Sequence, residues 1–244
     1  AAIEKAHVIR ETLVDAGLNF VRRKTDQGHD YFIVNQTGRV WNDWIEPAVS
    51  FESAVLLDPM TGGSGVLVVR QHNRRMRFYL PLEPGEARIA RLSGKPVHGR
   101  PWVYLERGDE TIPVDGTWQV VFIEGGPKLP EPQTMKTLVS WTDTADAEAR
   151  RFAGTARYST TLTLPQGAVA DGWLLDLGDV RESARIKVNG SEVGTLISLP
   201  FAVRIGRYLK SGENALEIEV TNLSANRIRD LDVRKVDWKI MKDA

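Results

Sequence analysis

Beyond Gly17 the chain is built from short segments in which apolar and polar residues alternate one by one, each closed by Gly, Pro, Asn or Asp. A period of two marks a half-buried strand, whose successive side chains point to opposite faces of a sheet. Such segments suit antiparallel sheets packed face to face, and they do not suit a barrel of alternating strands and helices. The expected fold class is therefore all-β. In the first half, strands are predicted at Asn19–Lys24, Asp30–Asn35, Trp44–Val49, Ser53–Leu57, Gly65–Val69, Arg75–Leu80 and Glu86–Arg91. Seven short strands at this spacing fit an immunoglobulin-like sandwich. Asp26-Gln27-Gly28 reads as a hairpin turn between the first two.

Residues Leu92–Val114 carry Pro and Gly and are weakly patterned, which places a domain break there. A second β domain is expected from Asp115, with strands at Trp118–Glu124, Thr155–Leu164, Gly172–Leu177, Glu182–Val188, Ser191–Ile197, Phe201–Ile205, Ala215–Asn222 and Asp232–Met241. Asn189-Gly190 between two alternating segments is a strong hairpin signal, since both residues accept positive φ. Before Gly17 the periodicity differs: Ile3, Ala6, Ile9, Leu13 and Ala16 recur at helical spacing and predict one helix, Ile3–Ala16. The expected organisation is a helix over 1–17, a sandwich over 18–114 and a second β domain over 115–244.

Lys plus Arg and Asp plus Glu both number 32. A chain without a basic surplus lacks the usual means of displacing counterions from phosphates, so nucleic acid is not an expected partner. The basic stretches Arg22-Arg23-Lys24 and Arg74 to Arg77 read as solvated strand ends or loops. There is no cysteine, which removes disulfides and thiolate chemistry. No apolar run approaches the ~20 residues of a membrane span, and no signal peptide is visible. The start without Met reads as a piece of a longer chain. Such a piece is expected to expose apolar surface near Ile9, Leu13 and Trp102 and to self-associate.

Five segments carry a resemblance to the galactose-binding-like jelly roll of glycoside hydrolases. They are Gly116-Thr117-Trp118-Gln119-Val120, Gly154-Thr155-Ala156-Arg157-Tyr158, Leu175-Asp176-Leu177-Gly178-Asp179-Val180, Ala184 to Gly194 around Val188-Asn189-Gly190, and Leu209 to Val220. With Thr221 to Ile228, Tyr31 to Asn35 and Leu57 to Gly62, nearly the whole chain resembles the C-terminal β-sandwich region of a glycoside hydrolase family 106 α-L-rhamnosidase-like enzyme. The resemblance implies a catalytic barrel elsewhere in the parent protein as a partner, a plant or microbial polysaccharide or glycoside as ligand, and a periplasmic or extracellular parent. It also implies a structural calcium, to which Asp171 and Asp176 can lend oxygens, although no calcium-loop motif is present.

Glycoside hydrolysis needs paired carboxylates, and Glu124, Asp176, Asp179 and Glu182 are the ones to inspect, although sequence alone pairs none of them. His7, His29, His72 and His98 are scattered and show no metal-ligand spacing. Sugars are held by aromatic faces with a few placed polar groups. Trp41, Trp44, Trp141 and Trp173 adjoin polar loops and are candidate carbohydrate contacts; Trp102 also bears inspection, and Trp118 and Trp238 read as core. Asn226 and Arg227, in an expected loop after Val220, are candidate hydrogen-bonding partners of a sugar. Against this stands a simpler role for Arg227, tying that loop to backbone carbonyls. Three readings follow: an accessory carbohydrate-associated module pair that braces a catalytic domain or binds polysaccharide, a small stand-alone glycoside hydrolase, and a purely structural pair.

Overall fold

The computed structural model describes residues 9–105, 108, 110–168, 170 and 172–238. The chain is all-β and divides into two compact units, Ala1–Asp109 and Glu110–Ala244.

The first unit contains β1 (Leu18–Thr25), β2 (Gly28–Asn35), β3 (Trp41–Ile45), β4 (Ser53–Leu57), β5 (Ser64–Val66), β6 (Val69–His72), β7 (Arg75–Leu82) and β8 (Ala87–Ser93). They form a five-stranded sheet, β1-β2-β8-β4-β5, and a three-stranded sheet, β3-β7-β6. Tyr31 and Ile33 of β2, Ala54 and Leu56 of β4 and Ala90 and Leu92 of β8 share one buried cluster with Ile45, Phe78, Leu80 and Leu82 of the smaller sheet. Each large side chain so buried contributes roughly 1.5–3 kcal/mol. The strand expected at Gly65–Val69 is split, because the chain changes sheets at Leu67 and Val68. A Cβ on Gly65 would lie 2.6 Å from the backbone of Trp102, so only glycine fits beneath that segment. The basic run Arg22-Arg23-Lys24 falls on β1, an outer strand, where charge discourages pairing with another sheet.

In its described part, residues 9–16, the expected N-terminal helix is corrected. Residues 3–8 lie outside the described residues, Ile9 to Thr12 are not helical, and Leu13–Ala16 make a single 3-10 turn closed by Gly17 at φ +77°. The reason is a tertiary anchor. Leu13 and Leu18 enter the core, and Glu11 accepts hydrogen bonds from the Tyr31 hydroxyl (2.6 Å), Arg22 (2.8 Å) and the Ala48 N–H (2.9 Å). Burial and the Glu11 carboxylate push the Tyr31 hydroxyl far above the usual phenol range. Of the apolar patch expected at Ile9, Leu13 and Trp102, Leu13 is buried and Trp102 packs on the core, so only Ile9 is exposed.

The second unit contains β9 (Trp118–Gly126), β10 (Gln133–Met135), α1 (Ala147–Arg150), β11 (Ala153–Leu164), β12 (Leu174–Asp176), β13 (Ser183–Val188), β14 (Ser191–Leu196), β15 (Ala202–Arg204), β16 (Gly212–Thr221) and α2 (Ala225–Val233). Six strands form one sheet in the order β10-β9-β11-β16-β13-β14, and β12 pairs with β15. Val120, Phe122, Ala156, Tyr158, Ala184, Ile186, Leu216 and Ile218 are buried along it. Two amides pin its turns. The buried Asn214 donates to the carbonyls of Lys210 and Gly212, and its Oδ1 accepts from the Lys210 N–H and from Asn189. Asn189, at φ +51°, accepts in turn from the Ala215 N–H.

The last expected strand, Asp232–Met241, is corrected: Asp232 and Val233 end α2, Arg234 to Trp238 are not in a strand, and 239–241 lie outside the described residues. Asp230 pairs with Arg227 and Arg234, three and four residues away, a spacing that stabilises a helix.

Glu11→Ala leaves the buried Tyr31 hydroxyl without its acceptor. We expect the first unit to lose about 1–3 kcal/mol, with Glu11→Gln losing less, as read from denaturant unfolding.

Candidate functional site

The pleat assigns each residue of the three-stranded sheet to a face. Phe78, Leu80 and Leu82 point inward. Arg77 and Tyr79 of β7 therefore face outward, together with their cross-strand partners Trp44 of β3 and Arg70 of β6. On this outer face Trp44 and Tyr79 lie 5.6 Å apart between ring centres; Tyr79 lies 5.2 Å from Tyr104, which is half-buried and also packs against the core. The Tyr104 hydroxyl donates to the Tyr79 carbonyl (3.2 Å) and accepts from the Val68 N–H (3.3 Å). Burial pushes that hydroxyl above its ordinary value. Tyr79 in turn donates to Asn42. The result is a fixed row of three aromatic rings.

The row is bordered by cations. The Arg70 guanidinium carbon sits 3.8 Å above the centre of the Trp44 ring. Glu46 receives Arg75 (2.9 Å) on one oxygen and Arg77 (2.6 Å) on the other. The hydrogen bond from Arg77 holds the Glu46 carboxyl below the usual carboxylate range. Among the described residues neither Arg70 nor Arg74 makes an ion pair.

A second surface lies on the outer face of the six-stranded sheet. A cleft of about 450 Å³ is lined by Glu124, Thr155, Ser183, Arg185, Glu219 and Thr221, among others. Glu219 accepts from Arg157 on Oε1 (2.7 Å) and faces Arg185 on Oε2 (3.5 Å). Gly125 and Gly154 cross so closely at its end that a Cβ on Gly154 would meet the Glu124 carbonyl at 2.1 Å. The cleft can supply hydroxyls and charges to a polar ligand, and each Glu219 oxygen is already engaged.

The candidates from sequence fall in different places. Trp44 lies in the aromatic row. Trp41 is on the opposite face of β3, packed against the core; its indole N–H is shut from solvent without an acceptor among the described residues. Trp141 is 7% exposed, a core residue in a cluster with Phe122 and Phe152 and a donor to the Tyr158 hydroxyl, so it offers no face to a ligand. Trp173 is half-buried and donates to the Ala168 carbonyl (2.5 Å). Asn226 and Arg227 sit in α2, not in a loop, and Arg227 is paired with Asp230 (2.7 Å) rather than with carbonyls. Trp118 is core, whereas Trp238 is half-buried outside any strand and donates to Asp232.

Of the inspected carboxylates, Asp176 accepts from the Gly178 N–H in a local turn, Asp179 is exposed and forks onto Arg181, and Glu182 is exposed. Only Glu124 lines the cleft. Asp171 lies outside the described residues, and among those described no group of three or more His, Asp or Glu is placed to hold a metal ion. No described helix is long and apolar enough to cross a membrane. Sequence reasoning missed Arg70, Tyr79, Tyr104 and Glu219. The signal for Tyr79 and Glu219 was present in the alternation of their strands; that for Arg70 and Tyr104 required knowing which segments lie side by side.

No family model matches the chain. A putative beta-glucuronidase of Formosa agariphila is 32% identical over 147 residues, 59% of this chain and 12% of that protein. The solved rhamnosidase of Novosphingobium sp. PP1Y superposes with a TM-score of 0.71 at 29% identity, over 93% of this chain and 22% of that one. A beta-glucuronidase of an uncultured Clostridium sp. aligns at 23% identity and a TM-score of 0.41 over 50% of this chain. The similarities are thus to glycoside hydrolases, and this chain spans only 12% and 22% of the first two proteins.

The Glu46–arginine cluster yields a pH prediction. Because the folded carboxyl is held low, its contribution to stability is present above the ordinary carboxylate range and lost as pH falls through the depressed folded value. A carboxyl-resolved NMR titration should place Glu46 below a normal glutamate, and Arg77→Gln should return it toward the ordinary value.

Proposed function

We propose that this chain is a carbohydrate-associated pair of β-sandwich modules belonging to a rhamnosidase-like glycoside hydrolase, and that it contacts saccharide rather than cleaving it. The observation that carries this reading is the extended match to one rhamnosidase, 93% of this chain against 22% of that enzyme, at a TM-score of 0.71. In this reading the chain corresponds to the C-terminal region of a family 106 enzyme, and its second unit to a galactose-binding-like jelly roll. The parent protein supplies the catalytic domain and acts on polysaccharide or glycoside outside the cytoplasm.

The contact surface is the outer face of β3-β7-β6. The rings are held in place but tilted 52° and 55° to their neighbours, so each offers a separate apolar facet to the CH face of a pyranose ring. Tyr79 is the central ring of this surface, with Trp44 on one side and Tyr104 on the other. The cleft of the second unit is a weaker candidate. It has no aromatic lining residue, and Glu219 would have to leave two guanidinium partners before serving as a proton donor or nucleophile.

Two measurements test the reading. In affinity electrophoresis through polysaccharide gels, the chain should be retarded by at least one polysaccharide, and Trp44→Ala together with Tyr79→Ala should restore free mobility without changing the circular dichroism spectrum. Aryl rhamnosides and glucuronides should show no turnover above background. Robust turnover lost in Glu124→Gln or Glu219→Gln would replace this reading with that of a stand-alone hydrolase.

A further inference from the structure

The β6–β7 hairpin carries a pattern of charge that its own fold does not compensate. Arg70 stands directly opposite Arg77 across the two strands. Like charges in directly opposed positions are unfavourable by a few tenths of a kcal/mol up to about 1. Arg74 at the tip holds φ +66°, a conformation that non-glycine residues adopt rarely. Among the described residues the acid that pairs with this group is Glu46, which takes Arg75 and Arg77. Arg70 and Arg74 are left without a carboxylate among the described residues, and both are exposed. A hairpin that places like charges opposite one another and leaves two uncompensated is complementary to an anion.

The aromatic row turns that charge into a site. Arg70 rests on the face of Trp44. A guanidinium seated on an indole keeps its five N–H donors, and resting on the ring limits how far it wanders. Carboxylates and sulfate esters accept such a fork through two oxygens at once. The aromatic rings of Tyr79 and Tyr104 continue from Trp44, so an anionic group at Arg70 and a pyranose face on the tyrosines are within one surface.

We infer that the outer face of β3-β7-β6 selects acidic saccharides, with Arg70 receiving the carboxylate or sulfate of a sugar whose neighbouring rings lie along Tyr79 and Tyr104. This rests on the reading of the chain as a carbohydrate-contacting module and adds the charge of the ligand. Nucleic acid is a poorer fit than an acidic sugar, since Glu46 takes Arg75 and Arg77 and leaves only Arg70 and Arg74 of this hairpin without a carboxylate among the described residues, too few cations to follow a phosphate backbone.

The test titrates the whole chain, by calorimetry at 50 and 300 mM NaCl, with four probes: oligogalacturonate, a sulfated galactan oligosaccharide, a neutral galactan oligosaccharide and a short DNA duplex. The two acidic sugars together define the anionic class, and their ratio tells carboxylate from sulfate. We expect at least one acidic sugar to bind tenfold or more tighter than the neutral one at 50 mM NaCl, and to weaken several-fold at 300 mM. Arg70→Gln should cost the acidic sugar five-fold or more without a matching loss for the neutral sugar, while Arg70→Lys should keep part of the acidic binding. Equal binding of acidic and neutral sugars, or an unaltered Arg70→Gln, would overturn the inference and leave the carbohydrate-contact reading intact. No sugar bound at all would overturn both. DNA bound as tightly as the acidic sugars would show general polyanion attraction and also overturn it. Unchanged circular dichroism and unfolding midpoints for both Arg70 variants confirm that binding, not folding, has been altered.

Discussion

The burial of Phe78, Leu80 and Leu82 on one side of β7 governs what the first unit can present on the other. A strand has only two faces, and a slip of one residue would exchange them. Three large side chains buried at roughly 1.5–3 kcal/mol each outweigh a like-charge pair on the outer face at about 1 kcal/mol or less. The register that opposes Arg70 to Arg77 is therefore enforced by the core, and the outer face takes the charge pattern the core dictates. Trp44 is fixed by the same rule, because Ile45 beside it is buried and pairs with Phe78.

Much of the sandwich framework was legible because its cause is local. Ser53–Leu57 was read with its observed bounds, and Asn189-Gly190 forms the hairpin that its tolerance of positive φ implies. What was not legible depends on distant partners. Ile3–Ala16 has helical spacing, yet in its described part Glu11 and Leu13 are claimed by the sandwich, and tertiary contacts outweigh a marginal short helix. Trp141 stands next to polar residues in sequence but lies against Phe122 and Phe152, with its N–H satisfied by Tyr158. Adjacent polarity says little about a ring whose direction is set by residues elsewhere in the chain. The same holds for the aromatic row: Tyr104 comes twenty-five residues after Tyr79, and nothing local announces that it will hydrogen-bond that residue's carbonyl.

The second unit shows how a polar surface can be well ordered without being reactive. Glu219 alternates outward on β16 because Ile218 and Leu216 are buried, and its neighbours on both sides are arginines supplied by β11 and β13. Such cross-strand pairs tie three strands together along one row. Part of the order comes from amides: Asn222 accepts from the Gly154 N–H and donates to the Phe152 carbonyl, closing the end of β11 beside the cleft. The groups that line the cleft are thus largely spent on the sheet itself.

Net charge is a poor guide to what such a chain attracts. The 32 basic and 32 acidic residues cancel over the whole sequence, and Arg74 to Arg77 read on their own as a solvated loop. Cancellation holds only at distances where all the charges are felt together. At physiological salt the field of a surface charge decays over about 8 Å. A ligand at the β6–β7 hairpin therefore meets Arg70, Arg74, Arg75 and Arg77 against Glu46, and the acids on other surfaces are screened from it. The aromatic rings add apolar contact that salt does not weaken in the same way. Affinity at this face then has two separable parts, one that falls with ionic strength and resides in the arginines, and one that persists and resides in Trp44, Tyr79 and Tyr104.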